Sequence, residues 1–397
     1  MPQKKPWKVA TPLIMKYWEK IRKDFPITKH SVYFQSAAMS PIPSPVFKAV
    51  VEEYRRLHFQ GDISWHKDMG NFKKLCGNLA ELMNTEQEDV TFVPNTSTAM
   101  SLLALSFKNK IQKPFNIVSM KDEFPASTVG LEYQGIKMRY VHPVGARYPV
   151  EAILDTVDEQ TLAVMTSQIQ YATGFRQDLL SLGRELKKRG VLFIVNATQA
   201  FPYYPVDVRA AHIDALSASL HKWGLTGHIG AMFYTSRSFR DRFPSPLAGW
   251  LSVDTEGKGF IHTGKNVPFR LHRSAHCYEF GTFNLQPLLA FQKALDYIKA
   301  IGIPNIQKRI LELTDYLIQG LEGLSITIIS PVERINERSP IVSFTLGDKN
   351  DACIKRCVER RIYVSPRNGY IRVSVNIFNN SADIDRLLEV LKDLIRP

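Results

Sequence analysis

From about residue 115 onward, short apolar runs alternate with stretches of helical periodicity, and this alternation limits the possible folds more than any other feature. The runs are Phe115–Met120, Lys137–Val141, Leu162–Ser167, Leu192–Asn196, Ala215–Ser219 and Gly230–Tyr234. Strands separated by helices pair in parallel, because a parallel neighbour needs a crossover, and the crossovers cover both faces of the sheet. The chain therefore reads as α/β with a mostly parallel sheet. Ligands of such sheets bind outside the carboxyl ends of the strands, so the residues that follow each run carry the most information.

Lys222 is one of these. The run Ala215–Ser219 leads into Leu220-His221-Lys222-Trp223-Gly224 and a glycine-rich turn with Gly227 and Gly230. Burial disfavours an ammonium ion and lowers its pKa, which suits an amine that forms a Schiff base. Taken alone, the same letters fit a snorkelling lysine at a strand end. Upstream, Val90-Thr91-Phe92-Val93-Pro94 reads as a strand, and Asn95-Thr96-Ser97-Thr98 opens a helix carrying Met100, Leu102, Leu103 and Leu105. Free N–H groups and the helix dipole make such a start an anion site, although an ordinary N-cap uses the same residues.

Composition narrows the function classes. No segment of the 397 residues reaches the roughly 18 consecutive apolar residues of a membrane span. The basic start, Met1 to Lys8, is not followed by an apolar signal core, which gives a cytoplasmic expectation. The net charge is +13, but the Lys and Arg are scattered. No basic run is interleaved with aromatics as in RNA-binding modules, so nucleic acid is not expected. The bias suits an anionic cofactor and a carboxylate substrate. Four cysteines are too few for a disulfide framework. Cys353 and Cys357 lie one helical turn apart with no second Cys/His pair at zinc spacing, so no metal is expected.

Ser219-Leu220-His221-Lys222-Trp223 resembles the pyridoxal phosphate lysine segment of the class V aminotransferase family, which includes cysteine desulfurases, kynureninases and isopenicillin N epimerase-like enzymes. Further segments resemble the family in the same order: Thr96-Ser97, Phe124 after Asp122-Glu123, Thr173-Gly174, Asn196-x-x-Gln199, Gly281-Thr282 and the segment around Arg372, spanning residues 31 to 393. The resemblance implies a fold type I pyridoxal phosphate enzyme. Its large domain, over 31–285, carries a seven-stranded type of sheet, and residues 1–30 and 286–397 form a small α+β domain. It implies Lys222 as the catalytic lysine that holds the cofactor as a Schiff base and takes the α-proton of an amino acid. Thr96, Ser97, Ser219, His221 and, across a homodimer with shared active sites, the partner subunit's Thr282 are implied to hold the phosphate. Phe124 would stack on the ring, Asn196 and Gln199 would meet its nitrogen and phenolic oxygen, and Ser167 would complete the cofactor contacts. Arg372 would bind the substrate carboxylate by two parallel hydrogen bonds, with Gln168 and Tyr171 beside it. Arg367 is read as a supporting or surface arginine.

Three departures bear on the reaction. Asn196 stands where the family has an aspartate, and a neutral amide cannot keep the ring nitrogen protonated by its charge. Phe124 stands where desulfurases place a histidine. The loop Val364–Gly369 lacks the nucleophilic cysteine that persulfide-forming desulfurases need. The family default is transamination. The alternatives are β-elimination (a C–S lyase) or epimerisation, both favoured by Asn196, and a non-catalytic cofactor-binding relic. Trp65 and His66 either reach the site or pack, and the stretches 60–70 and 244–276 are expected to be loops that shape substrate choice.

Overall fold

The structure, a computed structural model, describes residues 12–256 and 269–395. Seven strands form the central sheet: β1 (Val90–Val93), β2 (Asn116–Met120), β3 (Lys137–Val141), β4 (Thr161–Ser167), β5 (Leu192–Asn196), β6 (Ala215–Ser219) and β7 (Ala231–Thr235). Their spatial order is β1-β7-β6-β5-β4-β2-β3. β7 pairs antiparallel with both neighbours, and every other pairing is parallel. The reversal of β7 follows from its connection, since only the lysine-bearing turn joins it to β6 and a parallel pairing would need a longer crossover. The strand positions match the apolar runs to within a residue or two.

Pleating sends alternate side chains to opposite faces, and here both faces are covered. Val164, Phe193, Val195, Leu216, Ala218 and Met232 enter one apolar core, while Ala163, Met165, Leu192, Ile194, Ala215 and Phe233 enter the other. Two-sided burial is the reason these strands read as continuous apolar runs.

A second sheet is built from β8 (Thr327–Ile328), β9 (Ile341–Thr345), β10 (Ser365–Arg367) and β11 (Tyr370–Ser374), ordered β8-β9-β11-β10 and antiparallel throughout. β10 and β11 are joined at Asn368 and Gly369, whose φ values of 49° and 76° are those a tight hairpin turn demands. The run 362–365 is divided: Ile362–Tyr363 pairs in parallel with Val32–Tyr33, and Ser365 already belongs to β10. The amino-terminal helix Pro12–Lys23 packs onto this unit. Trp18, Ile21 and Phe25 share a core with Ile371, Val373, Leu387 and Leu391, and Arg22 pairs with Asp383 at 2.7 Å. Cys353 and Cys357 are buried in the same core.

Two expectations change. Residues 60–70 are largely helix, because Trp65 begins the helix Trp65–Met83. Trp65 packs against the first core and stacks on Trp250 with ring centroids 6.3 Å apart. Within 244–276, Val253–Asp254 pairs with Arg270–Leu271, and residues 257–268 lie outside the described residues. No helix among the described residues is long and apolar enough to cross a membrane.

Candidate active site

The carboxyl ends of β1, β2, β4, β5 and β6 converge on a cavity of about 210 Å³, closed on the far side by β10, β11 and the loop at Ala37-Ala38. It gathers Thr96, Phe124, Ser167, Tyr171, Asn196, Gln199, Ser219, His221, Lys222 and Arg372 from positions spread over almost 280 residues.

Lys222 is placed by a tight turn. Gly224 N–H returns to the Leu220 carbonyl at 3.1 Å, and a Cβ at Gly224 would lie 2.5 Å from that oxygen, so only glycine fits. Trp223 is fully buried and donates to Gln199 Oε1 at 3.1 Å, which anchors the turn and leaves Lys222 facing the cavity. Burial, then the charges of Arg372 and Arg367, pull the Lys222 ammonium down from 10.5 to about 7. Its Nζ lies 5.5 Å from the Phe124 ring centroid and has no hydrogen-bond or ion-pair partner among the described residues. A substantial fraction of this amine is therefore neutral and nucleophilic near pH 7.

Behind it is a knot of hydroxyls at the N-terminus of the helix Thr96–Lys110. Thr96 Oγ1 lies 2.9 Å from Ser219 Oγ and 3.4 Å from Thr198 Oγ1, and Thr198 Oγ1 accepts from Ser219 N–H at 3.0 Å. Asn95 caps the helix through Thr98 N–H, leaving the first-turn donors for an anion. His221 lines the same end of the cavity. Burial, Lys222 and His228 lower its pKa to about 4, so it meets an anion as a neutral hydrogen-bonding ring.

Opposite stands Arg372 on β11, 1% exposed. Nη1 donates to the Tyr171 carbonyl at 2.8 Å, while Nε and Nη2 are buried with no partner. Burial first, then Arg367, bring the guanidinium down to about 9. An unpaired buried charge is costly, and two parallel free donors of a guanidinium match a carboxylate. Tyr171 stands edge-on to Phe124 at 5.2 Å, and its hydroxyl donates to Asn368 at 3.1 Å, spanning from the central sheet to the β10–β11 turn.

Other residues fall differently. Ser97 and Thr282 are exposed and do not line the cavity. Gln168 is buried, but its amide donates to the Tyr204 carbonyl and it is not part of the lining. Gln199 lines the cavity with its amide already tied to the Ala37 carbonyl and to Trp223. Arg367 lines the cavity, where a supporting or surface place was expected. Thr198 and Glu123 were missed. Thr198 was signalled only by its position between Asn196 and Gln199, and Glu123 only by its place beside Phe124. Among the described residues no carboxylate and no cysteine lines the cavity, and all four cysteines are buried elsewhere. Among the described residues, no group of three or more His, Cys, Asp and Glu side chains is placed to hold a metal ion.

Comparison with known proteins shows the family and the fold. The family model described as aminotransferase class V matches residues 32–387. A probable cysteine desulfurase of Pyrococcus abyssi is 25% identical, over 96% of this chain and 98% of that protein. The fold superposes on a cysteine desulfurase from Thermococcus onnurineus with a TM-score of 0.84 at 22% identity, covering 98% of this chain and 99% of the other. It also superposes on the cystine C–S lyase C-DES, solved with its product cysteine persulfide, with a TM-score of 0.82 at 19% identity, covering 93% and 99%. A cofactor of this family fits the residues present. The helix start with Thr96, Thr198, Ser219 and His221 offers donors for its phosphate, Phe124 an aromatic face for its ring, and Lys222 an unpartnered amine for its aldehyde. With its profile matched across nearly the whole length and these groups assembled at the strand ends, the chain belongs to the class V aminotransferase family of pyridoxal phosphate enzymes.

Proposed function

We propose that the protein is a pyridoxal phosphate-dependent β-eliminating C–S lyase acting on cysteine-type amino acids, with S-substituted cysteines such as cystine as the substrate class. The observation that carries this reading is a cavity lined by Lys222 and by Arg372, whose Nε and Nη2 have no partner, with neither a cysteine nor a carboxylate in its wall among the described residues. A desulfurase that passes sulfur to its own thiol has no thiol here. The cystine C–S lyase similar in fold, solved with cysteine persulfide, supports a reaction whose sulfur leaves as a small molecule. Transamination, which gives the family its name, also needs proton return at the cofactor and is less served by the neutral Asn196.

Bound pyridoxal phosphate supplies an electron-accepting system that acidifies the α-proton and loosens the Cβ–S bond. The chain's own residues do the rest. Arg372 Nε and Nη2 take the substrate carboxylate and fix its orientation within reach of Lys222. Lys222 Nζ, held near neutrality of charge, takes the proton from the α-carbon as general base. Arg367, a second guanidinium at the cavity with no acidic partner among the described residues, is available to the second carboxylate of cystine. The overall balance is one cystine and one water giving one pyruvate, one ammonia and one cysteine persulfide.

The working unit we infer is a homodimer. The helix Ser44–Gln60 has only Val46 buried and exposes Phe47, Val51 and Tyr54 on one face, with Phe59 and Ile63 exposed nearby. A self-complementary copy would cover this face and bring the partner subunit's Thr282 toward the phosphate end of the cavity. Sedimentation of the purified protein tests it, since a monomer at micromolar concentration contradicts the dimer. The activity is tested by supplying the loaded protein with cystine, S-methylcysteine, alanine and glutamate. Ammonia and pyruvate in equal amounts from the sulfur compounds support the lyase, and a keto acid without ammonia supports transamination instead.

A further inference from the structure

Asn196 is the position at which this chain gives up the negative charge expected beside the cofactor ring, and the structure places another carboxyl group two hydrogen bonds away. Asn196 Nδ2 donates to Ser127 Oγ at 2.8 Å, and its Oδ1 accepts from Thr198 N–H at 3.0 Å. Ser127 is fully buried in the first turn of the helix Pro125–Tyr133, and its hydroxyl is hydrogen-bonded to Glu123. Glu123 is itself buried. Its Oε1 accepts from Ser167 N–H at 2.6 Å and its Oε2 from Ser167 Oγ–H at 2.5 Å, with Phe124 N–H as a further donor. No Lys, Arg or His pairs with it among the described residues. A buried carboxylate without a cation survives only through such donors.

We infer that Glu123 is a positioning residue for the cofactor, its charge acting through Ser127 on Asn196 in place of the aspartate this chain lacks. An ionised Glu123 accepts only, so the Ser127 hydroxyl points at it. The Ser127 lone pair is then free to take the Asn196 N–H, which polarises the amide and makes its oxygen a stronger acceptor. A protonated Glu123 gains a donor and loses an acceptor, and the chain loses its direction. Burial raises Glu123 to about 7 against the opposing bonds from Ser167, Phe124 and Ser127, so the switch falls in the neutral range. The other titratable groups facing it are Tyr148, on which its charge acts, and Asp122, to which the Tyr148 hydroxyl donates at 2.9 Å. Across the cavity, Lys222 stands over the Phe124 ring.

This inference rests on the pyridoxal phosphate reading of the cavity, and cofactor stoichiometry by absorbance reports separately on that reading. The experiment loads the protein with pyridoxal phosphate labelled with nitrogen-15 in the ring and follows the ring nitrogen's chemical shift through neutral pH. The wild type is expected to show a protonation step near pH ~7 that disappears in Glu123→Gln and also in Ser127→Ala, which cuts the chain while leaving the carboxyl in place. In Asn196→Asp the nitrogen is expected to stay protonated throughout, and adding Glu123→Gln changes nothing. A wild-type signal that does not titrate, or a step that survives unchanged in Ser127→Ala with the cofactor fully bound, overturns the proposal. Ser127→Ala leaves Lys222 untouched, so a step belonging to the lysine would persist in it.

Discussion

Lys222 is held in a place that suits its chemistry and costs the fold. Its pKa falls from 10.5 to about 7, which corresponds to about 5 kcal/mol. The side chain keeps some exposure at the cavity and water screens part of this, so we take about 2–3 kcal/mol. Lys222→Met removes the charge while keeping an unbranched apolar chain, and the cofactor-free variant is expected to be more stable by that amount. The pH dependence has a definite sign. Below pH 7 the lysine is charged in both folded and unfolded states and the folded state carries the whole cost. Between 7 and 10.5 the unfolded state binds more protons, so wild-type stability rises with pH and the advantage of Lys222→Met shrinks toward zero. Urea unfolding of both cofactor-free proteins at acidic, neutral and alkaline pH measures it. A variant no more stable than wild type at neutral pH, or an advantage that grows with pH, refutes the reasoning.

Arg372→Ala removes the two free donors aimed at the substrate, and kcat/KM for every amino acid substrate is expected to fall by about 100-fold or more, the usual cost of truncating a buried charged contact. Arg367→Gln is expected to raise KM for cystine and leave the KM of S-methylcysteine unchanged in steady-state kinetics, since only cystine carries a second carboxylate. The rate of cofactor loading, followed by absorbance, is expected to rise with pH through about 7 and then level off, because only the neutral Lys222 attacks an aldehyde. Gly224→Ala puts a Cβ 2.5 Å from the Leu220 carbonyl and is expected to cost about 2 kcal/mol by overpacking, read as a lower midpoint in thermal unfolding together with weaker cofactor retention.

Much of the central sheet was legible because burial on both faces leaves its mark in every residue of a strand, as in Leu192–Asn196 and Ala215–Ser219. The lysine turn was legible because Gly224 and Gly230 have no substitute where backbone meets backbone, at the Leu220 and Val93 carbonyls. The stretch 60–70 reads as a loop because a helix start and a loop share the same polar letters, and the Trp65–Trp250 stack, which settles Trp65 as a packing residue, joins residues far apart in sequence. Arg367 was placed too far out because a hairpin turn at Asn368-Gly369, invisible in composition, folds it over the cavity. Gln168 looked like a contact by its neighbours in sequence, yet just past the end of β4 its amide is tied to the Tyr204 carbonyl. Thr198 meets Thr96 and Ser219, and Glu123 meets Ser167, through hydrogen bonds that only the sheet brings together, and their places beside Asn196 and Phe124 were the sole local signal.

The measurement that tests the account most directly is borohydride reduction of the pyridoxal phosphate-loaded protein followed by peptide mapping. A reduced cofactor adduct on the peptide containing Lys222, and its loss in Lys222→Met, is the expected result. A label on another lysine, or no label on protein that carries the cofactor, contradicts the site described at the end of β6 and the mechanism built on it.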